Sequence, residues 1–99
     1  MEQDYLGYDV IVHPRIELER GINEEDILAA WDNALPLKRR ARPRNNLGHD
    51  EYITIGFDTK GRPIELVAAT YVAEHLWRVY HGVRPATKGF VDEYKKIGG

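Results

Sequence analysis

Residues 51–72 twice take strand character around one tight turn, and a small chain that contains such a hairpin has to cover it. Glu51, Ile53, Ile55 and Phe57 alternate with Tyr52, Thr54 and Gly56, giving a strand with one strongly apolar face. Asp58-Thr59-Lys60-Gly61 reads as the hairpin loop, with Gly61 suited to a left-handed position. Residues 64–72 and 76–81 read as the next two strands, joined around Ala73 to His75, and Gly82 and Pro85 as the end of the sheet. The cover comes from upstream. Asn23 is a good helix N-cap, and Glu24, Glu25 and Asp26 place negative charge at the positive end of the helix dipole. Ile22 and Ile27 have the spacing of a hydrophobic staple. Ile27, Leu28, Trp31, Ala34 and Leu35 form one apolar stripe of helical period, which Pro36 ends.

The remaining segments fill in around this unit. Residues 1–7 are polar and expected to be disordered, and residues 8–12 form a short strand or an extended lead-in. Pro14 and Gly21 bracket a short helix over residues 14–20. Residues 37–44 are basic and broken by Pro43, which argues for an edge strand, and Asn45-Asn46-Leu47-Gly48 is a turn. Residues 87–97 close the chain as a helix with Phe90, Val91, Tyr94 and Ile97 on one side. The expectation is one α+β domain over residues 1–99. Two N-terminal helices pack on a roughly four-stranded antiparallel sheet, followed by a short C-terminal helix.

Composition narrows the chemistry. The chain has no cysteine, which removes disulfide scaffolds, thiol nucleophiles and Cys-based zinc sites. It has no serine, so Ser-based acyl transfer is excluded. His13, His49, His75 and His81 lack paired metal-ligand spacing, so neither a metal nor a cofactor is expected. Apolar runs are too short to span a membrane, and Met1-Glu2-Gln3-Asp4 has none of the features of a signal peptide, so a soluble cytoplasmic protein is expected. The net charge of −2 is unevenly spread. Residues 1–32 carry nine carboxylates against two arginines, a net of −7, whereas Lys38, Arg39, Arg40, Arg42 and Arg44 fall in seven positions without an acid. Such a run marks a polyanion or partner surface, or protects an edge strand.

Proton-carrying groups stand beside cations on the last strand. By strand alternation Leu76, Arg78 and Tyr80 share one face, and Trp77, Val79 and His81 the other. RNA cleavage without a metal needs a base for the 2′-hydroxyl, a cation for the phosphorane and a donor for the leaving 5′-oxygen. Arg78 is the candidate cation, and Tyr80 and His81 are competing proton carriers. Gly82 would let the chain twist and bring His81 to the rim. The alternative is that Arg78 is a solvated sheet residue and Tyr80 covers apolar surface.

Three segments carry a family resemblance. They are Gly21-Ile22-Asn23-Glu24-Glu25-Asp26-Ile27 with Ala30 and Asn33-Ala34-Leu35, the hairpin from Ile55-Gly56-Phe57-Asp58 through Gly61-Arg62-Pro63-Ile64-Glu65-Leu66-Val67, and Arg78-Val79-Tyr80-His81-Gly82-Val83-Arg84-Pro85-Ala86-Thr87-Lys88. Together they resemble the BrnT branch of the RelE/ParE toxins of bacterial type II toxin–antitoxin systems, over roughly residues 14–88. The resemblance implies a compact α+β endoribonuclease acting on mRNA, on the ribosome in some cases, and neutralised by a small antitoxin encoded nearby. It carries over Arg62, Arg78, His81, Arg84 and Lys88 as site candidates. Two functional expectations follow. One is a metal-independent endoribonuclease centred on Arg78, Tyr80 and His81, with Lys38, Arg39, Arg40, Arg42, Arg44, Arg62, Arg84 and Lys88 binding RNA or antitoxin. The other is a non-catalytic module of the same fold that binds a protein or a nucleic acid.

Overall fold

The computed structural model of the chain describes residues 7–44 and 48–97. In order these form β1 (Asp9–Val12), α1 (Arg15–Arg20), α2 (Glu24–Asp32), β2 (Lys38–Arg39), β3 (Glu51–Phe57), β4 (Pro63–Tyr71), β5 (Leu76–Val83) and α3 (Lys88–Lys96), with a single 3₁₀ turn at Val72–Glu74. The α+β class is as expected, but the sheet is not four-stranded and antiparallel. It has five strands in the order β1-β5-β4-β3-β2, and β1 runs parallel to β5. The helices do not open the chain either, because β1 precedes them. Parallel neighbours need a long crossover, here almost the whole domain, so local sequence around residues 8–12 carries no sign of the pairing. Residues 1–6 and 45–47, which include most of the expected disordered start and the Asn45–Leu47 part of the expected turn, lie outside the described residues.

Helices cover both faces of the sheet. On one face Ile16, Ile22, Ile27 and Ala30 pack on Ile64, Leu66, Ala68, Trp77 and Val79. On the other, Phe90 and Tyr94 of α3 pack on Ile53, Ile55 and Val67. Two-sided cover explains why β4 is buried from Ile64 to Thr70 instead of alternating. Trp31 stays partly buried at the margin of the first cluster, with its ring 5.3 Å from that of Trp77.

The Asn23 cap forms as its sequence requires, accepting from the Asp26 N–H at 2.8 Å. The helix ends earlier than its stripe suggests. The Asn33 amide donates to the Phe57 carbonyl at 2.7 Å and accepts from the Phe57 N–H at 2.8 Å. Leu35 then donates to the Ile55 carbonyl at 2.9 Å. These bonds give the backbone a better alternative than another helical turn, so Ala34 and Leu35 leave the helix and Leu35 is exposed. The basic edge strand is likewise short. Only Lys38 and Arg39 pair with β3, and Arg40 adds one bond to the Glu51 carbonyl. Gly82 does not end the sheet, because β5 runs on to Val83.

The hairpin turn is tied down by one carboxylate. Asp58 accepts from the Lys60 and Arg62 N–H groups, both at 2.9 Å, from Arg62 Nε at 2.7 Å and from Arg84 Nη1 at 2.8 Å. Arg84 Nη1 also reaches Asp26 of α2 at 3.0 Å. Burial alone would raise the Asp58 carboxyl, but the bonds from Arg62, Lys60 and Arg84 outweigh it and hold it at about 2, below the ordinary 3.8. A lowered carboxyl contributes stability above its unfolded-state value and loses it as the group is protonated in the native state. The melting temperature should therefore fall as pH drops from 3.8 through about 2, and Asp58→Asn should remove that part of the profile. An unchanged acid limb in Asp58→Asn would place the acid sensitivity elsewhere.

Candidate functional site

A bulge in β5 builds the site. Val79 stands opposite Ala68 and His81 opposite Val67, so Tyr80 is the extra residue between them. One extra residue shifts the alternation, so Tyr80 and His81 both lie on the α3 side. The expectation that they occupy opposite faces, relieved by a twist at Gly82, is replaced by this bulge. Gly82 instead faces α1 and α2, where an added Cβ would come within 2.8 Å of Ile27 Cδ1 and 3.4 Å of Ile16 Cγ2.

Tyr80 and His81 line a cavity of about 460 Å³ between the sheet and the start of α3. Each is held by a buried glutamate. Glu65, 5% exposed, accepts from the Thr87 N–H and hydroxyl through Oε1, both at 2.7 Å, and its Oε2 lies 2.8 Å from His81 Nε2. With Glu65 ionised, Nε2 carries the proton and Nδ1 presents a lone pair. The imidazole also stacks on Phe90, with centroids 6.4 Å apart. The result is a base oriented by a carboxylate, the arrangement that nucleophile- and proton-activating sites use.

The second glutamate anchors a longer chain. Glu51, 1% exposed, accepts from the Tyr80 hydroxyl and from Arg40 Nη1 at 2.6 Å. Arg40, 8% exposed, also makes a two-pronged contact with Glu93 of α3, at 2.7 Å from Nε and 2.9 Å from Nη2. The Arg40 contact holds the Glu93 carboxyl below its usual range despite partial burial, with a smaller contribution from Arg44. Arg44 reaches Glu93 only at 3.9 Å and its side chain is 73% exposed. It stands at the mouth of the cavity as an available cation. Gly89 also lines the cavity, and a Cβ there would meet nothing within 4 Å.

The expected basic residues divide by what they touch. Lys38 donates to the Tyr94 carbonyl at 2.8 Å and sits 4.0 Å from the Tyr94 ring centroid, so it fastens α3 to the sheet. Arg40, Arg62 and Arg84 are committed to carboxylates inside the fold. Arg39 pairs with Asp50 and Lys88 with Asp92 on the surface, where such pairs contribute little. Arg42 is exposed and makes no ion pair among the described residues. Arg78 lies on the same face as Tyr80, two residues away, and outside the cavity lining.

Glu51, Glu65 and Glu93 complete the site, and sequence reasoning did not single them out. A signal existed for two of them. Glu51 opens β3 and Glu65 lies within β4, two mostly apolar strands, and a buried carboxylate survives in such a place only with a partner. Among the described residues no group of three or more His, Asp and Glu could hold a metal ion, and no helix is long and apolar enough to cross a membrane. No protein-family model, curated protein or solved structure matches the chain.

Proposed function

We propose that the chain is a metal-independent endoribonuclease of the toxin type, with a RelE/ParE-like arrangement and its chemistry in the Tyr80–His81 cavity. The observation that carries this reading is the bulge at Tyr80, which sets two proton carriers side by side, each against a buried glutamate. His81 Nδ1 takes the proton of the RNA 2′-hydroxyl, and Glu65 steadies the imidazolium that forms. The 2′-oxygen attacks phosphorus as the bond to the 5′-oxygen breaks, leaving a 2′,3′-cyclic phosphate. The Tyr80 hydroxyl turns from Glu51 to the departing 5′-oxygen and supplies its proton, and Arg44 at the mouth faces the charge that gathers on the phosphorane. The substrate is mRNA in the bacterial cytoplasm, on the ribosome or free, and a small antitoxin encoded nearby acts by covering the cavity.

RNA incubated with the protein in EDTA tests this. His81→Gln should lose about 10²–10⁴-fold in rate while remaining folded. Gly89→Leu should abolish cleavage by filling the cavity mouth. Gly89→Ala should keep it and gain about 0.5–1 kcal/mol in stability, because the added methyl meets open space on a helix. Cleavage that survives both His81→Gln and Gly89→Leu puts the chemistry outside this cavity.

A second reading rests on a different observation. Arg40 and Arg84 are already neutralised inside the fold, and the exposed Arg62 is paired with the buried Asp58, which leaves little of the positive field that draws RNA to an enzyme. That favours a non-catalytic module whose cavity binds a partner. A wild type that neither cleaves RNA nor arrests growth on expression would select this reading.

A further inference from the structure

The sheet face that bears the cavity continues past it toward β1, and α3 does not reach that end. Ala69 shares a face with Val67, Arg78 stands opposite Ala69, and Ile11 opposite Arg78. The same reading fits exposure, since Ile11 is half exposed while Val10 and Val12 pack on the opposite side. His13 follows two residues after Ile11 and donates its N–H to the Val79 carbonyl at 2.8 Å, which keeps it alongside β5. Arg78 and His13 are therefore neighbours on this sheet face, each partly buried.

Both groups are disposed to receive an anion. Arg78 is partly buried and makes no ion pair or hydrogen bond through its side chain among the described residues; Asp9, on the same face, is not bonded to it. A cation in that position gains from any anion that reaches it. The imidazole of His13 is fixed, because Nδ1 accepts from the Arg15 N–H at 3.0 Å. In the neutral ring the proton then sits on Nε2, which has no partner among the described residues and can donate. Burial first, then the charges of Arg78 and Arg15, lower the His13 pKa, while Glu19 acts the other way. The pair thus offers one forked cation and one neutral N–H donor.

We propose that Arg78 and His13 form a phosphate-binding subsite that holds an RNA backbone phosphate next to the one being cleaved. Arg78 and His81 stand opposite Ala69 and Val67, two positions apart on β4, an advance of about 7 Å that is comparable to one nucleotide step. This assignment rests on the ribonuclease reading of the cavity, and it gives Arg78 a role in holding substrate.

Two measurements test it, and they fail separately. In the first, inorganic phosphate is titrated into wild type and the His13 imidazole signals are followed by NMR. A saturable shift is expected in wild type and its loss in Arg78→Gln. In the second, the affinity of a short 2′-O-methyl oligoribonucleotide is measured against salt. Arg78→Gln should bind about tenfold or more weakly, with a salt slope reduced by about one. His13→Asn should also weaken binding, yet leave stability unchanged, because its side-chain oxygen can still accept from the Arg15 N–H. No response of His13 to phosphate overturns the subsite whatever the RNA result. A phosphate response combined with RNA affinity and salt slope unchanged in Arg78→Gln overturns its assignment to the RNA strand. Failure of wild type to bind the oligonucleotide overturns the ribonuclease reading, and this assignment with it.

Discussion

Gly56→Val should prevent the chain from folding. A Cβ at this position would stand 2.0 Å from the Ala30 carbonyl oxygen and 2.6 Å from its carbon. Both are backbone atoms of the last turn of α2, so relief requires moving the helix off β3. That movement would open the packing of Ile27 and Ala30, both completely buried, against Ile64 and Leu66. Overpacking a core usually costs about 1–3 kcal/mol and more where backbone has to shift. A domain of this size has on the order of 5–10 kcal/mol to lose. Gly82→Ala provides the control. Its Cβ would meet the end of the Ile27 side chain at 2.8 Å, an atom that can rotate away, so its loss should be much smaller. Circular dichroism and urea unfolding of the two variants check this. A Gly56→Val protein with a wild-type unfolding midpoint would mean that α2 and β3 do not approach each other in this way.

Arg40→Met should be the most damaging substitution in the basic run, at about 3–5 kcal/mol. The side chain is buried, and three of its nitrogens bond to Glu51 and Glu93. Removing it leaves Glu51, almost without solvent, opposite no cation. The attraction within such a pair is largely offset by the cost of dehydrating it, but the cost of stranding one partner is not. Arg40→Met combined with Glu51→Gln should therefore recover much of the loss, since the amide carbonyl still accepts a hydrogen bond. Arg42→Met, which removes an exposed charge with no ion pair among the described residues, should stay within about 0.5 kcal/mol of wild type. Equal losses for Arg40→Met and Arg42→Met would show that Arg40 is solvated.

These expectations separate what neighbouring residues specify from what distant ones do. Asn23 was legible as a helix N-cap because capping is a bond to a residue three positions on, whereas Thr87, read only as the first residue of the closing helix, is the N-cap of α3. Strand β3 matches the alternating stretch that announced it, and Gly61 takes the left-handed turn conformation that its hairpin needs. Of the candidate site, the sequence supplied Tyr80, His81 and Arg78 as residue types suited to proton transfer and phosphate. It could not say which of them meet.

Local information placed the Asn23 cap, the Gly61 turn and the apolar periods of α2, β3 and α3. The remaining features depend on contacts between distant residues. The parallel β1–β5 pair joins opposite ends of the domain, and no local pattern encodes a partner so far along the chain. The bulge at Tyr80 comes from fitting β5 against β4, and it alone puts Tyr80 and His81 on one face. The basic run looked like a uniform surface in one dimension, yet burial turned Arg40 inward and left Arg42 and Arg44 outside. A charge is read from the sequence at once; whether it is available depends on which carboxylate the fold brings to it. Glu51, Glu65 and Glu93 made that decision here, through contacts 11 to 53 residues apart in the chain.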